Sequence, residues 1–321
     1  MNIKTKVDVF PLKKLFTISR GSRTEAEVVS VKVSKDGFTG YGECVPYKRY
    51  NETVKSVIDQ ITNLNQVNNR YELEQNLPPG AARNALDCAF WDLEAKLNNT
   101  SVADLINLSI SPVITSFTLS LDTSEKMGQE AQLNSHLPIL KIKLGGGNED
   151  LERIKSVRKF APQSDIIVDA NEGWSLDEYN YLMPHFVEAK IKMIEQPFPS
   201  QYDGELKNIN RPIPICADES CHDTSSLEKC IGKYDVINIK LDKTGGLTEA
   251  LKLKKNAELH NFDIMVGCMV GSSLAMAPAL YVAQNVKWVD LDGPLLLSED
   301  RKNPLKYSNS KIHPPLKDLW G

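Results

Sequence analysis

The sequence contains no long hydrophobic run. In its 321 residues, no stretch approaches the roughly 20 consecutive apolar residues that span a bilayer. Residues 1–7 include two lysines but no apolar segment and no small-residue cleavage site, so we predict no signal peptide. These absences indicate a protein without a membrane partner, and we expect it in the cytoplasm.

A strong net charge and closely paired cysteines are also missing. Lysine and arginine number 38 against 42 aspartates and glutamates, and the net charge of −4 provides no general attraction to nucleic acid. The six cysteines are scattered without a Cys-x-x-Cys pair, so we interpret them as reduced thiols that act as small apolar residues. Local charges must therefore attract any anionic substrate.

No Pro- or Ser-rich linker divides the chain, yet its first part differs in pattern from the rest. Residues 29–33 alternate apolar and polar side chains, Lys35-Asp36-Gly37 is typical of a turn, and residues 39–44 fit the returning strand. Helical spacing follows over residues 53–64 and 81–97. Strands followed by helices predict a small α+β domain over residues 1–112.

From residue 113 the pattern alternates between strands and helices. Strand-like runs recur roughly every 22–27 residues, the length of a strand, a helix and two loops. They are centred near Phe117, Lys141, Ile167, Met193, Ile215, Ile237, Ile264 and Trp288. Eight such runs predict an α/β fold with a TIM-type (β/α) barrel over residues 113–295, rather than an open doubly wound sheet. The less regular residues 296–321 are expected to return to the small domain.

Three acidic residues end successive strand-like runs: Asp169, Glu195 and Asp218. Because the carboxyl ends of parallel strands meet at one end of a barrel, these carboxylates are expected to converge. With no histidine or cysteine among them, they form the oxygen-only ligand set that Mg²⁺ prefers. We therefore predict a Mg²⁺ site there.

Lysines end the neighbouring runs. Lys141 and Lys143 alternate along the second run and so share a face, while Lys240 ends the sixth run, across the barrel. Two opposed lysines beside a metal can remove a proton from one face of a carbon and return one to the other face, through an enediolate. We predict Lys143 and Lys240 as acid/base catalysts with lowered pKa values, and Lys141 as a supporting charge.

A further acidic pair lies at the eighth run. Asp290 and Asp292 alternate, so they share a face and can hold a cationic group such as a free amino terminus. Any one of these charged residues could instead belong to a structural ion pair across the barrel. About eight charged groups at the same end of the strands favour a functional role. Trp174 is interpreted as packing, and Glu219 either supports the site or starts a loop.

These residues resemble the enolase superfamily, its muconate-lactonizing subgroup and, within it, the dipeptide epimerases. The resemblance extends over essentially the whole chain. It rests on Lys141-Ile142-Lys143, Asp169-Ala170-Asn171, Glu195-Gln196-Pro197, Ala217-Asp218-Glu219-Ser220, Asn238-Ile239-Lys240 and Asp290-Leu291-Asp292. It implies an N-terminal capping domain over a modified barrel, Mg²⁺ on the three carboxylates and the two lysines as catalysts, a pairing known for this superfamily.

The motif at the eighth run resembles the one by which dipeptide epimerases bind the substrate's ammonium group. The resemblance also implies substrate contacts, beyond Lys141, Asp290 and Asp292, from Thr118, Met269, Ser272 and Arg20. A loop at Arg20 and Arg23 either closes over the site and pairs with a glutamate side chain or is merely solvated. The resulting hypothesis is a Mg²⁺-dependent epimerase that converts L-Ala-D-Glu to L-Ala-L-Glu, in the recycling of cell-wall (murein) peptides.

Other functions share parts of this pattern. Within the superfamily, an o-succinylbenzoate synthase, a cycloisomerase or an N-acylamino acid racemase would carry the same metal ligands and lysines. From another class, a metal-free Schiff-base lyase would use a single reactive lysine. A ligand-binding barrel without activity is the non-enzymatic alternative. The expected partner is a small dipeptide, and whether the chain forms a homo-oligomer stays open.

Overall fold

The computed structural model describes residues 1–64, 67–147 and 149–321. Its N-terminal part contains an antiparallel sheet in the order β1-β2-β3. The strands are β1 Asn2–Ile18, β2 Gly21–Lys35 and β3 Phe38–Cys44. The predicted turn before β3 is present, with φ of 50° at Asp36 and 83° at Gly37. The sequence pattern did not predict β1.

Four helices complete this part. They are α1 Val54–Thr62, α2 Arg70–Asn76, α3 Ala81–Leu97 and α4 Val102–Leu105, with a 3-10 turn at Lys48–Tyr50. The helix α3 has the predicted bounds and packs against β3. Gly42 permits this close approach, because a Cβ there would lie 2.0 Å from the carbonyl oxygen of Ala85. A larger residue would push the helix away from the sheet.

Eight parallel strands, in chain order, form the second part. They are β5 Phe117–Leu119, β6 Ile139–Lys143, β7 Asp165–Asp169, β8 Ile191–Glu195, β9 Ile215–Ala217, β10 Val236–Ile239, β11 Asp263–Gly267 and β12 Trp288–Asp290. The amide of Ser116 donates to the carbonyl oxygen of Val289 at 2.8 Å and joins the first and last strands. Each predicted strand centre lies within one of these strands.

Helices cover the outside of the strands. They are α5 Ser124–Leu133, α6 Asp150–Phe160, α7 Leu176–Glu188, α8 Thr224–Leu227, α9 Leu241–Thr244, α10 Leu247–Leu259, α11 Ser273–Val282 and α12 Gly293–Leu296. Two 3-10 turns lie at Asp203–Lys207 and Glu228–Cys230. Among the described residues, β8 is followed only by a 3-10 turn and β12 only by the short α12, so the ring of helices is incomplete there.

The C-terminal residues contact both parts of the chain. Strands β13 Tyr307–Ser308 and β14 Lys311–Ile312 form a small sheet with β4 Val113–Ile114. Leu297 forms a bridge with Leu12 of β1. The indole nitrogen of Trp320 donates to the carbonyl oxygen of Cys88 in α3 at 3.0 Å. The end of the chain therefore connects the barrel to the N-terminal domain.

The predicted fold is confirmed: a modified TIM-type (β/α) barrel with an N-terminal α+β capping domain. The largest cluster of buried apolar residues belongs to the barrel and its helices. A smaller cluster lies between β2, β3 and α3 in the capping domain. No helix in the described ranges has the length and hydrophobicity needed to cross a membrane.

Candidate active site

The carboxyl ends of the barrel strands bring the predicted acidic and basic residues together. The strand register pairs Lys143 with Asp169, and Asp169 with Glu195. Asp218 directly follows β9, and Lys240 directly follows β10. All five side chains are buried. Because the strands are parallel, these ends lie at the same edge of the sheet, so the predicted convergence is present.

Each predicted catalytic lysine contacts a predicted metal ligand. Lys143 Nζ lies 2.5 Å from Asp169 Oδ2, and Lys240 Nζ lies 2.6 Å from Asp218 Oδ2. Both lysines line one cavity with a volume of about 60 Å³. They reach it from the second and sixth barrel strands, which lie across the barrel from each other. A carbon atom held between them would have an amine on either side.

Lys141 is buried and connects the acidic residues of several strands. Its Nζ lies 2.6 Å from Glu195 Oε2, 2.6 Å from Asp290 Oδ2 and 3.4 Å from Asp169 Oδ2. Only 1% of the residue is exposed. An ammonium group in this position offsets the repulsion between buried carboxylates. This geometry agrees with a supporting charge.

Lys243 was not singled out from the sequence, although it belongs to the same cluster. Its Nζ donates to Asp218 Oδ1 at 2.7 Å and to the backbone carbonyl oxygens of Asp218, Cys221 and Asn238 at 2.6–2.9 Å. Asp218 is thereby held between two ammonium groups, one from Lys240 and one from Lys243. The spacing Lys-x-x-Lys was the available signal, because it places the second lysine one helical turn beyond the strand end.

The site charges stabilise one another. Burial by itself would raise the pKa values of Asp169 and Asp218, but the neighbouring lysine ammonium groups hold both below their ordinary range. Burial would likewise lower the pKa values of Lys141 and Lys240, but the carboxylates raise both. The predicted lowering of lysine pKa values assumes a bound Mg²⁺ and stays a prediction, whereas in this arrangement the carboxylates that touch the ammonium group raise the pKa of Lys240.

The acidic residues offer the oxygen donors that hard divalent cations bind. Within the described parts of the chain, no three or more His, Cys, Asp or Glu residues form a ready-made metal cluster. Lysine ammonium groups lie between the carboxylates instead. Asn238 donates to Glu195 Oε1 at 2.8 Å, and Lys141 Nζ contacts Glu195 Oε2 at 2.6 Å. The all-oxygen donor set of Asp169, Glu195 and Asp218 fits a divalent cation that takes over from the lysines.

The two acidic residues at the eighth strand differ in their partners. Asp290 accepts from Lys141 at 2.6 Å and from the hydroxyl of Ser116 at 2.8 Å, so its charge is already offset. Asp292 accepts from the backbone amide of Thr118 at 2.6 Å. Burial and the nearby Asp290 raise the pKa of Asp292 to about 7. Both aspartates and Thr118 line the cavity, and Asp292 is the one without a lysine contact among the described residues.

The tip of the β1–β2 hairpin covers the cavity. Arg20 and Arg23 both line it, so the segment predicted as a closing loop is a hairpin tip. Arg20 Nη2 contacts Glu219 Oε1 at 2.8 Å, and Arg23 lies 5.9 Å from the ring centroid of Tyr47. Burial and Asp218 raise the pKa of Glu219 to about 8. Glu219 therefore belongs to the site and does not merely start a loop.

Two further predicted substrate contacts have different positions. Met269 lines the cavity. Ser272 is completely buried, and its backbone amide and hydroxyl both donate to Glu43 of the capping domain. Arg301 binds the same carboxylate. Direct substrate binding by Ser272 is therefore not supported: the serine begins α11 and connects the barrel to the capping domain.

Two family profiles match the chain. One is described as the mandelate racemase / muconate lactonizing enzyme, N-terminal domain, and matches residues 2–107. The other is described as enolase C-terminal domain-like and matches residues 126–317, more than half of the chain. The chain belongs to this family. The membership predicted from the strand-end motifs is confirmed.

Named relatives show high similarity over the whole chain. L-Ala-D/L-Glu epimerase of Escherichia coli (strain K12) is 42% identical over 318 residues, which cover 97% of this chain and 99% of that protein. N-acetyl-D-glutamate racemase of a Pseudoalteromonas species is also 42% identical, over 92% of this chain and 95% of that protein. The predicted enzyme class, an isomerase acting on amino acid derivatives, is confirmed at this level.

Solved structures agree with the family. An enolase family member from Agrobacterium tumefaciens with homology to dipeptide epimerases, with bound sodium and L-Ala-L-Glu, is 46% identical and covers 99% of both chains with a TM-score of 0.95. A dipeptide epimerase from Enterococcus faecalis, complexed with Mg and L-Leu-L-Tyr, is 27% identical with a TM-score of 0.91 and covers 97% of this chain and 96% of that one.

Proposed function

We propose that this protein is a dipeptide epimerase that inverts the α-carbon of the C-terminal residue of L-Ala-D-Glu or L-Ala-L-Glu. The observation that carries the proposal is the placement of Lys143 and Lys240 on opposite sides of one cavity. One lysine removes the α-proton from one face, and the other returns a proton to the opposite face. The reverse roles convert the other epimer.

A carbon next to a carboxylate is a weak acid, so the negative charge that forms on deprotonation must be offset. Asp169, Glu195 and Asp218 would hold Mg²⁺, which supplies positive charge next to the substrate's carboxylate when bound. The lysines contact these carboxylates directly, so binding requires both side chains to turn toward the substrate. One must then be a neutral amine that accepts the α-proton, and the other an ammonium group that donates a proton to the opposite face.

The two ends of the cavity fit a dipeptide with charges at both ends. Asp292, held by the amide of Thr118, would bind the ammonium group of the first residue. Arg20 and Arg23 at the hairpin tip would bind the side-chain carboxylate of a C-terminal glutamate. Such a substrate fits a role in the recycling of cell-wall peptides, which is part of the proposal.

A second candidate is the racemisation of N-acetylglutamate. It is favoured by the similarity to N-acetyl-D-glutamate racemase, which is 42% identical to this chain. In contrast, Asp292, which has no lysine partner among the described residues, is an acidic group suited to an amine. An acetamide carries no positive charge, so the two substrates place different demands on Asp292. Asp292→Asn would severely impair turnover of L-Ala-L-Glu but have little effect on N-acetyl-L-glutamate.

The direct test is incubation of the protein with L-Ala-L-Glu and Mg²⁺ in D₂O. We expect deuterium at the glutamate α-carbon and the appearance of L-Ala-D-Glu, and both should be lost in excess EDTA and return with added Mg²⁺. N-acetyl-L-glutamate is measured in parallel. Absence of α-deuterium in the dipeptide would refute the proposal, and exchange of N-acetyl-L-glutamate alone would favour the second candidate.

A further inference from the structure

A second, much larger space lies next to the substrate cavity. This side groove has a volume of about 870 Å³, against about 60 Å³ for the cavity. It lies between β1, the segment from β5 to α5, and residues after β12. This is the side of the barrel where the short α12 takes the place of a full helix. Leu121, Met127 and Leu137 contribute apolar surface to it.

Three residues line both spaces, namely Phe16, Thr118 and Leu296. Thr118 belongs to a barrel strand, and its backbone amide is bonded to Asp292. These three residues form the wall between the cavity and the side groove. The part of this wall that a substitution can remove consists of the side chains of Phe16 and Leu296. Both pack against the same apolar cluster, which includes Leu12, Met269 and Leu297.

The backbone holds Phe16 firmly in this position. Pro11 of β1 pairs with Glu25 of β2 and Phe16 pairs with Arg23, so a bulge in β1 separates the two pairs. Next to it, the amide of Thr17 donates to the hydroxyl of Ser120 at 2.7 Å, and the carbonyl oxygen of Thr17 accepts from the amide of Leu121 at 3.0 Å. The bulge directs the strand toward the barrel, and these bonds attach it to the loop after β5.

We infer that Phe16 and Leu296 restrict the first residue of the substrate to a small side chain such as that of alanine. This inference rests on the proposed function, in which Asp292 binds the substrate's ammonium group. A charge-assisted hydrogen bond of about 2.8 Å and an N–Cα bond of about 1.5 Å place the first Cα within about 5 Å of that carboxylate. Leu296 lies one helical turn after Asp292, and Phe16 lines the same cavity, so the wall is close to the position that the first side chain would occupy.

The wall is a feature of this chain's own residues and not a requirement of the fold. A dipeptide epimerase of the same fold is complexed with L-Leu-L-Tyr, whose first side chain is larger than a methyl group. Removing part of the wall would join the cavity to the side groove and admit a larger first residue. The groove has ample volume for a leucine side chain, and its apolar surface would bind one.

The test compares L-Leu-L-Glu with L-Ala-L-Glu in the wild type and in Phe16→Ala, Leu296→Ala and Leu121→Ala. The readout is the ratio of kcat/KM for α-deuterium exchange of the two dipeptides in D₂O. One methylene in an apolar pocket changes such a ratio by about 10–200-fold. We expect the ratio to favour L-Leu-L-Glu by at least about tenfold more in Phe16→Ala and Leu296→Ala. Leu121→Ala enlarges only the groove and should leave the ratio within about twofold.

Three results would overturn the inference: equal use of both dipeptides by the wild type, an unchanged ratio in the wall variants, or an equal change in Leu121→Ala. Leu296→Ala keeps the test decisive if Phe16→Ala does not fold. Calorimetric binding of both dipeptides with Mg²⁺ present gives an independent ratio of affinities. Lack of exchange by the wild type would refute the proposed function, while the affinity ratio would still report on the wall.

Discussion

Two pairs of buried carboxylates, in two regions of the molecule, have different partners. At the barrel mouth, Asp169 and Asp218 contact lysine ammonium groups. Between the capping domain and the barrel, Asp87 accepts from the amide and hydroxyl of Thr248, and Asp242 accepts from the amide of Val45 and from Asn84. The first region pairs opposite charges, whereas the second uses neutral donors.

For these four residues the partners, and not the degree of burial, set the direction in which the pKa is shifted. All four carboxyl groups are almost fully buried. Burial raises the pKa of Asp87 to about 6 and that of Asp242 to about 7, since neutral donors lower it only partly. At the mouth the lysines reverse the direction and hold the pKa values below the ordinary range. Asp169 and Asp218, which would hold Mg²⁺ in the proposed reaction, therefore carry negative charge.

The largest expected effect comes from removing a lysine at the mouth. Lys240→Ala deletes one of the two proposed bases, and such groups contribute about 10²–10⁴-fold to rates. We expect interconversion of L-Ala-L-Glu and L-Ala-D-Glu to fall by that factor. Because each lysine faces one side of the α-carbon, proton exchange should persist for one epimer alone. The measurement is deuterium incorporation from D₂O into each epimer separately.

The complementary variant Lys143→Ala is the matched comparison. It should retain exchange of the opposite epimer, since Lys240 then remains as the only base. Lys252→Met is the control, because this exposed lysine pairs with Glu74 far from the cavity. Epimerisation at the wild-type rate in either mouth variant would contradict the two-base mechanism.

A smaller but still large effect is expected from substitution of Lys243. This lysine pairs with Asp218 but is not one of the two proposed bases, so its substitution tests charge pairing separately from catalysis. Lys243→Met leaves Asp218 with one ammonium partner and removes the donor from three buried carbonyl oxygens. Loss of one partner of a buried pair costs about 3–5 kcal/mol. We expect the free energy of unfolding in urea to fall by that amount. Lys252→Met, an exposed pair, should change it by no more than about 1 kcal/mol.

The third effect concerns the neutral region, and it develops gradually with pH. The pKa of Asp242 is about 7 in the folded protein and about 3.9, the ordinary value for aspartate, in the unfolded chain. Between these two pH values the folded protein keeps a proton on Asp242 that the unfolded chain has released. The stability contributed by this proton is complete below pH 4 and is lost as the pH rises to 7. We expect wild type to lose up to about 1.4 kcal/mol per pH unit relative to Asp242→Asn in that window. Urea unfolding at several pH values measures the difference.

The exposed Asp177→Asn serves as the control for this pH series, since that side chain lies at the surface of α7. Its stability should follow that of the wild type at every pH. A constant difference between wild type and Asp242→Asn from pH 4 to pH 8 would show that Asp242 is charged, and the contrast between the two regions would disappear.

Much of the fold could be predicted from local patterns. The buried strands read as short apolar runs and α3 as a broad apolar face, because each pattern repeats over neighbouring residues. β1 could not be predicted this way. Phe10 and Leu12 are the only two buried residues of its seventeen, whereas Val7 and Val9, which alternate with charged residues in the sequence, are exposed. Its pairing with β2 and its bulge before Phe16 depend on residues distant in the chain.

The candidate site could be predicted only in part. Charges at strand ends predicted that Lys143, Lys240 and the acidic residues would converge, since a parallel barrel brings its strand ends together. Ser272 does not line the cavity, and nothing near it in the sequence reveals that Glu43 accepts a hydrogen bond from its hydroxyl. Lys243 was missed because its acceptors are backbone carbonyl oxygens from separate segments.

The sequence by itself determined the order of strands and helices and the residue at each strand end, because periodicity and charge are properties of neighbouring residues. Only the tertiary structure decided which ammonium group touches which carboxylate, which acids are neutral, and where Phe16 separates the cavity from the groove. Those outcomes depend on distances of a few ångströms between distant segments. Over such distances Coulomb interactions and apolar contacts change steeply, and sequence spacing does not specify them.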